Sequence, residues 1–114
     1  MDFPAAIDAF IAKCQEISDI YHDRSFPNLP KSVITTSPGG KAFMRVVRTD
    51  RGQGGSAHCF VAMDCGSNKK LGSWEIGDVF KADGWSSPAR GARGNIFDVH
   101  GGIGRMGPYG PAYN

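Results

Sequence analysis

Apolar side chains at the start of the chain recur in steps of three and four: Phe3, Ile7, Phe10, Cys14, Ile17 and Tyr21, with Ile11 and Ile20 widening the stripe. Such spacing puts one continuous apolar face on an α-helix and predicts a helix over residues 1–23. Asp2 stands where an N-cap is needed, and Pro4 falls in the first turn, where a missing N–H costs little. The face has two candidate covers. One is the domain's own sheet; the other is a second copy of the helix, because the spacing is heptad-like over fewer than three heptads.

Pro27, Pro30, Pro38 and the pair Gly39-Gly40 end the helical period and predict an extended linker over residues 24–40, with Val33 and Ile34 as a candidate short strand. Over residues 41–83 the period shortens to two and predicts a β-sheet. Residues 41–49 read as a strand, residues 51–55 as a flexible hairpin connection, and residues 57–64 as a second strand. In that second strand Cys59, Val61 and Met63 form one face and His58, Phe60 and Ala62 the other. Both faces are largely apolar, as in a central strand covered on two sides. Residues 71–76 and 78–82 predict a third extended stretch interrupted at Gly77. Pro88 after Ser86-Ser87 predicts a single helical turn that Gly91 and Gly94 keep short. Residues 84–114 read as an irregular turn and tail, either loosely attached or pinned by Ile103, Met106, Tyr109 and Tyr113. The pattern as a whole predicts an α+β fold in one domain over residues 1–114: an N-terminal amphipathic helix packed on a small twisted antiparallel sheet of three or four strands, with a Gly/Pro-rich C-terminal tail.

Composition and charge refine this picture. Sixteen glycines in 114 residues are about twice the usual share and assign much of the chain to turns. No apolar run approaches the ~20 residues that cross a bilayer, and the N-terminus lacks the basic-then-apolar order of a secretory signal, so a soluble intracellular protein is expected. Cys14, Cys59 and Cys65 cannot pair completely and lack the spacing of a closed zinc site, which leaves buried or free thiols. The net charge of +2 hides an asymmetry, since residues 1–30 sum to −3 and the remainder to +5. An acidic helix and a basic body are suited to different partners.

Catalytic chemistry finds little support. His22, His58 and His100 are scattered, so spacing assigns no nucleophile, base and orienting acid. His58 and Cys59 are adjacent in a strand and point to opposite faces, which argues against a metal site with Cys65. Glu75, Asp78 and Asp83 divide between strand faces and suit turn capping better than paired acid and base work. Residues 102–107 match the dinucleotide fingerprint letter for letter, but Pro108 follows at once and no βαβ unit can be built there. No cofactor and no metal are expected.

The strings Gly77-Asp78-Val79-x-Lys81, Trp85, Pro88-Ala89, Ala92-Arg93-Gly94-Asn95-Ile96-x-Asp98 and Gly107-Pro108-Tyr109-Gly110 resemble a segment of small proteins encoded by tailed bacteriophages. The resemblance covers residues 41–114 and implies a phage or phage-derived gene acting in a bacterial host's cytoplasm; it carries no activity onto any residue. Its basic residues interleave with Phe43, Phe60, Trp74, Phe80 and Trp85, the combination a single-strand binding surface uses for phosphates and bases. Arg45, Arg48, Lys81, Trp85, Arg90 and Arg93 are therefore the candidate binding residues, with Arg90 and Arg93 on one side of the expected helical turn. The leading expectation is an accessory protein that binds single-stranded or double-stranded nucleic acid, as a monomer or homodimer. The alternative is an inhibitor of a host enzyme or anti-phage defence protein.

Overall fold

A computed structural model of the chain describes residues 2–38, 40–50 and 55–111. The expected hairpin connection of residues 51–55 falls largely, and Tyr113 wholly, outside the described residues. Helix α1 runs Phe3–Ser25, capped by the Asp2 carboxylate, which accepts from the Ala5 N–H at 2.9 Å. It ends at Phe26, whose N–H donates to the His22 carbonyl at 2.7 Å, and Pro27 follows at once.

Strands β1 (Val33–Pro38), β2 (Phe43–Thr49) and β3 (Ser56–Ala62) are followed by a short hairpin of β4 (Gly66–Asn68) and β5 (Gly72–Trp74). Next come β6 (Asp78–Ala82) and β7 (Pro88–Asn95), then a second small hairpin of β8 (Met106–Gly107) and β9 (Gly110–Pro111). The main sheet is antiparallel, in the order β1-β2-β3-β6-β7, with β3 at its centre. Helix α1 packs on one face through Ala6, Ile7, Phe10 and Cys14, which meet Ile34, Val46, Cys59, Val61 and Val79. The opposite face, with Phe43, Phe60 and Phe80, is covered by Leu71 and Trp74 of the β4–β5 hairpin. The Trp74 indole N–H donates to the Asp64 carbonyl at 3.0 Å, so this large ring is buried without an orphaned donor.

The sheet has five strands rather than three or four, for two reasons. Residues 33–38, expected mostly as linker, pair along their whole length with β2, as β-branched Val33, Ile34, Thr35 and Thr36 favour. Residues 88–95 form a strand, not a helical turn. Pro88 opens this edge strand, where a missing ladder donor is tolerated. Gly91 (φ 93°) and Gly94 (φ 158°) adopt backbone angles that L side chains avoid, in a strand whose register shifts twice against β6. The expected third stretch is divided too. Gly77 turns the chain at φ 86°, leaving β5 in the small hairpin and β6 in the main sheet.

The tail is held against the body: Ile103 and Met106 pack on the helix-side core, and a Cβ at Gly110 would lie 2.3 Å from the His58 carbonyl oxygen. Phe10 sits at the centre of that core and is 1% exposed. Phe10→Ala should therefore lower the unfolding free energy by ~3 kcal/mol or more, measured by chemical denaturation.

Candidate functional site

The six side chains singled out from the sequence are distributed over different parts of the molecule. Arg45 pairs across the sheet with Phe60, on the face away from α1, and is 9% exposed. Its Nε donates to the Trp85 carbonyl at 2.7 Å and its Nη1 to the Ser37 hydroxyl at 3.1 Å, while the guanidinium lies 4.3 Å from the centre of the Trp85 ring. Arg45 thus ties the turn after β6 to the sheet, and it leaves the Trp85 ring 46% exposed. Arg48 and Lys81 lie on the opposite face, level with Ile34 and Cys59 respectively. Arg48 pairs with Asp50 at 3.1 Å and stacks on Tyr109 at 4.1 Å, and the Lys81 ammonium donates to the Pro111 carbonyl at 3.1 Å.

Arg93 is 7% exposed and folds back on its own strand, donating from Nη1 to the Arg90 carbonyl at 2.8 Å and to the Gly91 carbonyl. Arg90 is exposed. The shared side expected for Arg90 and Arg93 does not exist, because the segment is a bulged strand rather than a helical turn.

His58 is a buried titratable group outside the six candidate binding residues. The β2–β3 register slips between Val46 and Val47 and leaves His58 with no residue opposite it on β2. It is 2% exposed, its Nδ1 lies 3.3 Å from the Cys59 sulfur, and its Nε2 has no hydrogen-bond partner among the described residues. Burial, then the positive charges of Arg48 and Lys81, push its pKa down to about 4. Burial also pushes Cys14 up to about 12 and holds Cys59 well above its ordinary value, so neither thiol supplies a thiolate near neutrality. Among the described residues no group of three or more His, Cys, Asp or Glu is placed to hold a metal ion, and no helix is long and apolar enough to cross a membrane.

A cleft of about 430 Å³ opens where the end of α1, the 26–32 linker, the end of β2 and the tail meet. Its walls are fastened by polar contacts. The Gln15 side chain donates to the Ser32 carbonyl and accepts from the Ile34 N–H, both at 2.8 Å, joining helix to β1. The Ser32 hydroxyl bonds Asp50, and His22 bridges Asp23, at 3.0 Å, to the Leu29 carbonyl. That carbonyl contact, with the Asp23 carboxylate, raises the His22 pKa above its ordinary value. Tyr21 meets Phe26 and Tyr109 edge-on, with ring centres 5.8 and 5.6 Å away.

Around the opening Phe26, Leu29 and Tyr109 remain 45, 40 and 57% exposed. This is a concave, largely apolar site with one fixed cation, Arg48, and one carboxylate, Asp50: the chemistry of a pocket for a bulky side chain. Of the candidate residues only Arg48 reaches it. Tyr21 was legible as helix stripe and Tyr109 as tail anchor, but no local spacing joins them.

The fold and the cleft define a small α+β protein with one helix on a five-stranded antiparallel sheet and a concave, largely apolar cleft at the end of that helix. Residues 6–103 match a family described as a family of unknown function (DUF7717), and the chain belongs to that family. No curated protein and no solved structure matches the chain.

Neutral His58, buried away from the cleft, gives the stability of the fold a pH signature. The unfolded imidazole titrates near 6.5 and the folded one at about 4, so between these values the unfolded chain binds more protons. Stability from this group is complete above pH 6.5 and is lost as pH falls towards 4, by on the order of 2–3 kcal/mol. Denaturation at pH 7 and pH 4.5 should show that loss in the wild type and a much smaller one in His58→Gln; equal losses in both would contradict it.

Proposed function

We propose that the chain is a phage accessory protein that acts in its bacterial host's cytoplasm by binding a host protein, taking a bulky apolar or aromatic side chain of that partner into the cleft at the end of α1. The observation that carries this reading is the ring of half-exposed Phe26, Leu29 and Tyr109 around a cleft whose walls are already fastened. Covering the exposed parts of three such side chains contributes on the order of 2–4 kcal/mol, and pre-ordered walls reduce the entropy cost of docking. Inhibition of a host enzyme or defence protein is the function such a contact serves.

Nucleic-acid binding is the second reading, favoured by the half-exposed Trp85 ring held on Arg45 beside a turn that leads to exposed Arg90. It stands second because the charged groups of Arg45, Arg48, Lys81 and Arg93 bond groups of the chain itself. Phosphate neutralisation needs cations that reach solvent.

The two readings separate on two variants. Affinity capture from bacterial lysate should recover one stoichiometric protein with the wild type and with Trp85→Ala, and lose it with Leu29→Asp while the melting temperature is unchanged. Titration with an unstructured oligonucleotide should show no salt-dependent binding. A slope of log K against log salt near −3, as roughly four phosphate contacts give, abolished by Trp85→Ala, would reverse the order of the readings.

A further inference from the structure

Two strings of the phage-like segment, Gly77-Asp78 and Asn95-Ile96-Phe97-Asp98, meet at the end of the sheet opposite the cleft. The strand register places them there: Arg48 and Ser56 lie level at the cleft end, whereas Phe43 with Ala62, Val61 with Val79, and Asp78 with Asn95 step towards the other end. A hydrogen-bond network binds the two loops into one unit. The Asn95 amide donates to the Ile76 carbonyl at 2.9 Å and to the Asp78 carboxylate at 3.0 Å, and that carboxylate also accepts from the Glu75 N–H at 2.9 Å. The Ile96 N–H donates to the Gly77 carbonyl at 2.9 Å. Asp98 accepts from the N–H groups of Asn95, His100 and Gly102 at 3.1, 2.9 and 3.0 Å. Burial opposes ionisation of Asp98, but the Gly102, Asn95 and His100 donors outweigh it and hold the carboxyl below its usual range. Only glycine fits at position 77, where a Cβ would lie 2.8 Å from the Phe97 ring.

This unit turns three large apolar side chains outwards: Ile76, Phe97 and Val99 are 41, 43 and 92% exposed. Ile76 and Phe97 border a shallow concavity of about 580 Å³ whose charged lining residues, Glu75, Asp78 and Asp98, are all acidic. Scattered apolar residues on a surface need no explanation, but Ile76 and Phe97 stand on a hydrogen-bonded frame, and Val99 adjoins Phe97 at a neighbouring depression that Lys13 also lines, so the patch presents itself at a reduced ordering cost. The three carboxylates select against an acidic or purely apolar visitor and favour a cationic one.

We infer that the Ile76–Phe97–Val99 patch is a second docking surface, and that its occupant is a basic segment of a partner protein that sets a bulky apolar side chain on the patch and Lys or Arg against the acidic concavity. It lies at the opposite end of the sheet from the cleft, so both surfaces can be occupied at once and the protein can bridge two partners.

Cys65 supplies the test, because it lines the concavity and is exposed, whereas Cys14 and Cys59 are buried. The full chain carrying an environment-sensitive fluorophore on Cys65 is titrated with short peptides that pair Phe or Leu with Lys and Arg, and with matched peptides in which Asp and Glu replace the basic residues. The basic peptides should give a saturable, salt-sensitive change and the acidic ones none. Glu75→Lys should weaken binding by roughly tenfold and Val99→Ser by about threefold, whereas Leu29→Asp should leave it unchanged. Thermal melts establish that the variants are folded, and Val99→Ser, at a position open to solvent, serves where Glu75→Lys is not. No saturable change with any basic peptide up to about 1 mM overturns the inference. So does equal binding of the acidic set, or a signal that tracks protein concentration alone, which would identify a second copy of the chain as the occupant. Because Leu29→Asp leaves this surface intact, failure here is distinguishable from failure of the cleft reading.

Discussion

Strand β3 must be dry on both faces, and the rest of the molecule is arranged to satisfy that constraint. Cys59, Phe60, Val61 and Ala62 alternate between the two faces and all have no solvent exposure. One face therefore needs the helix, laid down through Phe10 and Cys14, with the tail continuing the cover beyond the helix through Met106. The other needs the β4–β5 hairpin, which sets Leu71 and Trp74 over Phe43, Phe60 and Phe80. Neither layer is optional, because removing either would return a set of large apolar side chains to water at about 25 cal/mol per Å².

The same constraint decides what the charged residues can do. A guanidinium on a sheet covered on both sides must be bonded where it stands, since an unpartnered buried charge costs far more than a surface ion pair contributes. Arg45 meets this requirement with the Trp85 carbonyl and ring and the Ser37 hydroxyl, and Arg48 meets it in part with Asp50 and the Tyr109 ring, its Nε being buried with no hydrogen-bond partner among the described residues. Both are fastenings of covering segments to the sheet. At the two ends of the sheet loops rather than layers meet solvent, and the cleft and the concavity beside Ile76 and Phe97 lie there.

The helix was legible in the sequence because its apolar positions keep one period, and β3 because both of its alternating sets are apolar. Strand β7 was not legible. Arg90-Gly91 and Arg93-Gly94 show no alternation, and the segment becomes a strand only by pairing with β6 through two register shifts. β1 was read short because Thr35, Thr36 and Ser37 look like linker until β2 lies beside them. The cleft was hidden for a related reason: its aromatic walls come from Tyr21, Phe26 and Tyr109, brought together only by the fold. Arg45 reads as a surface cation in sequence, and its burial depends on a turn forty residues away.

The central claim is that the sheet is covered within the chain, and the three cysteines test it directly at the face that the helix covers. Cys14 and Cys59 lie inside the helix–sheet layer and Cys65 lies outside it. Titration of the native protein with a polar thiol reagent should consume one thiol rapidly, and denaturation should release the other two. Rapid reaction of Cys14 or Cys59 in the native protein would show that the helix does not seal that face, and would contradict the account.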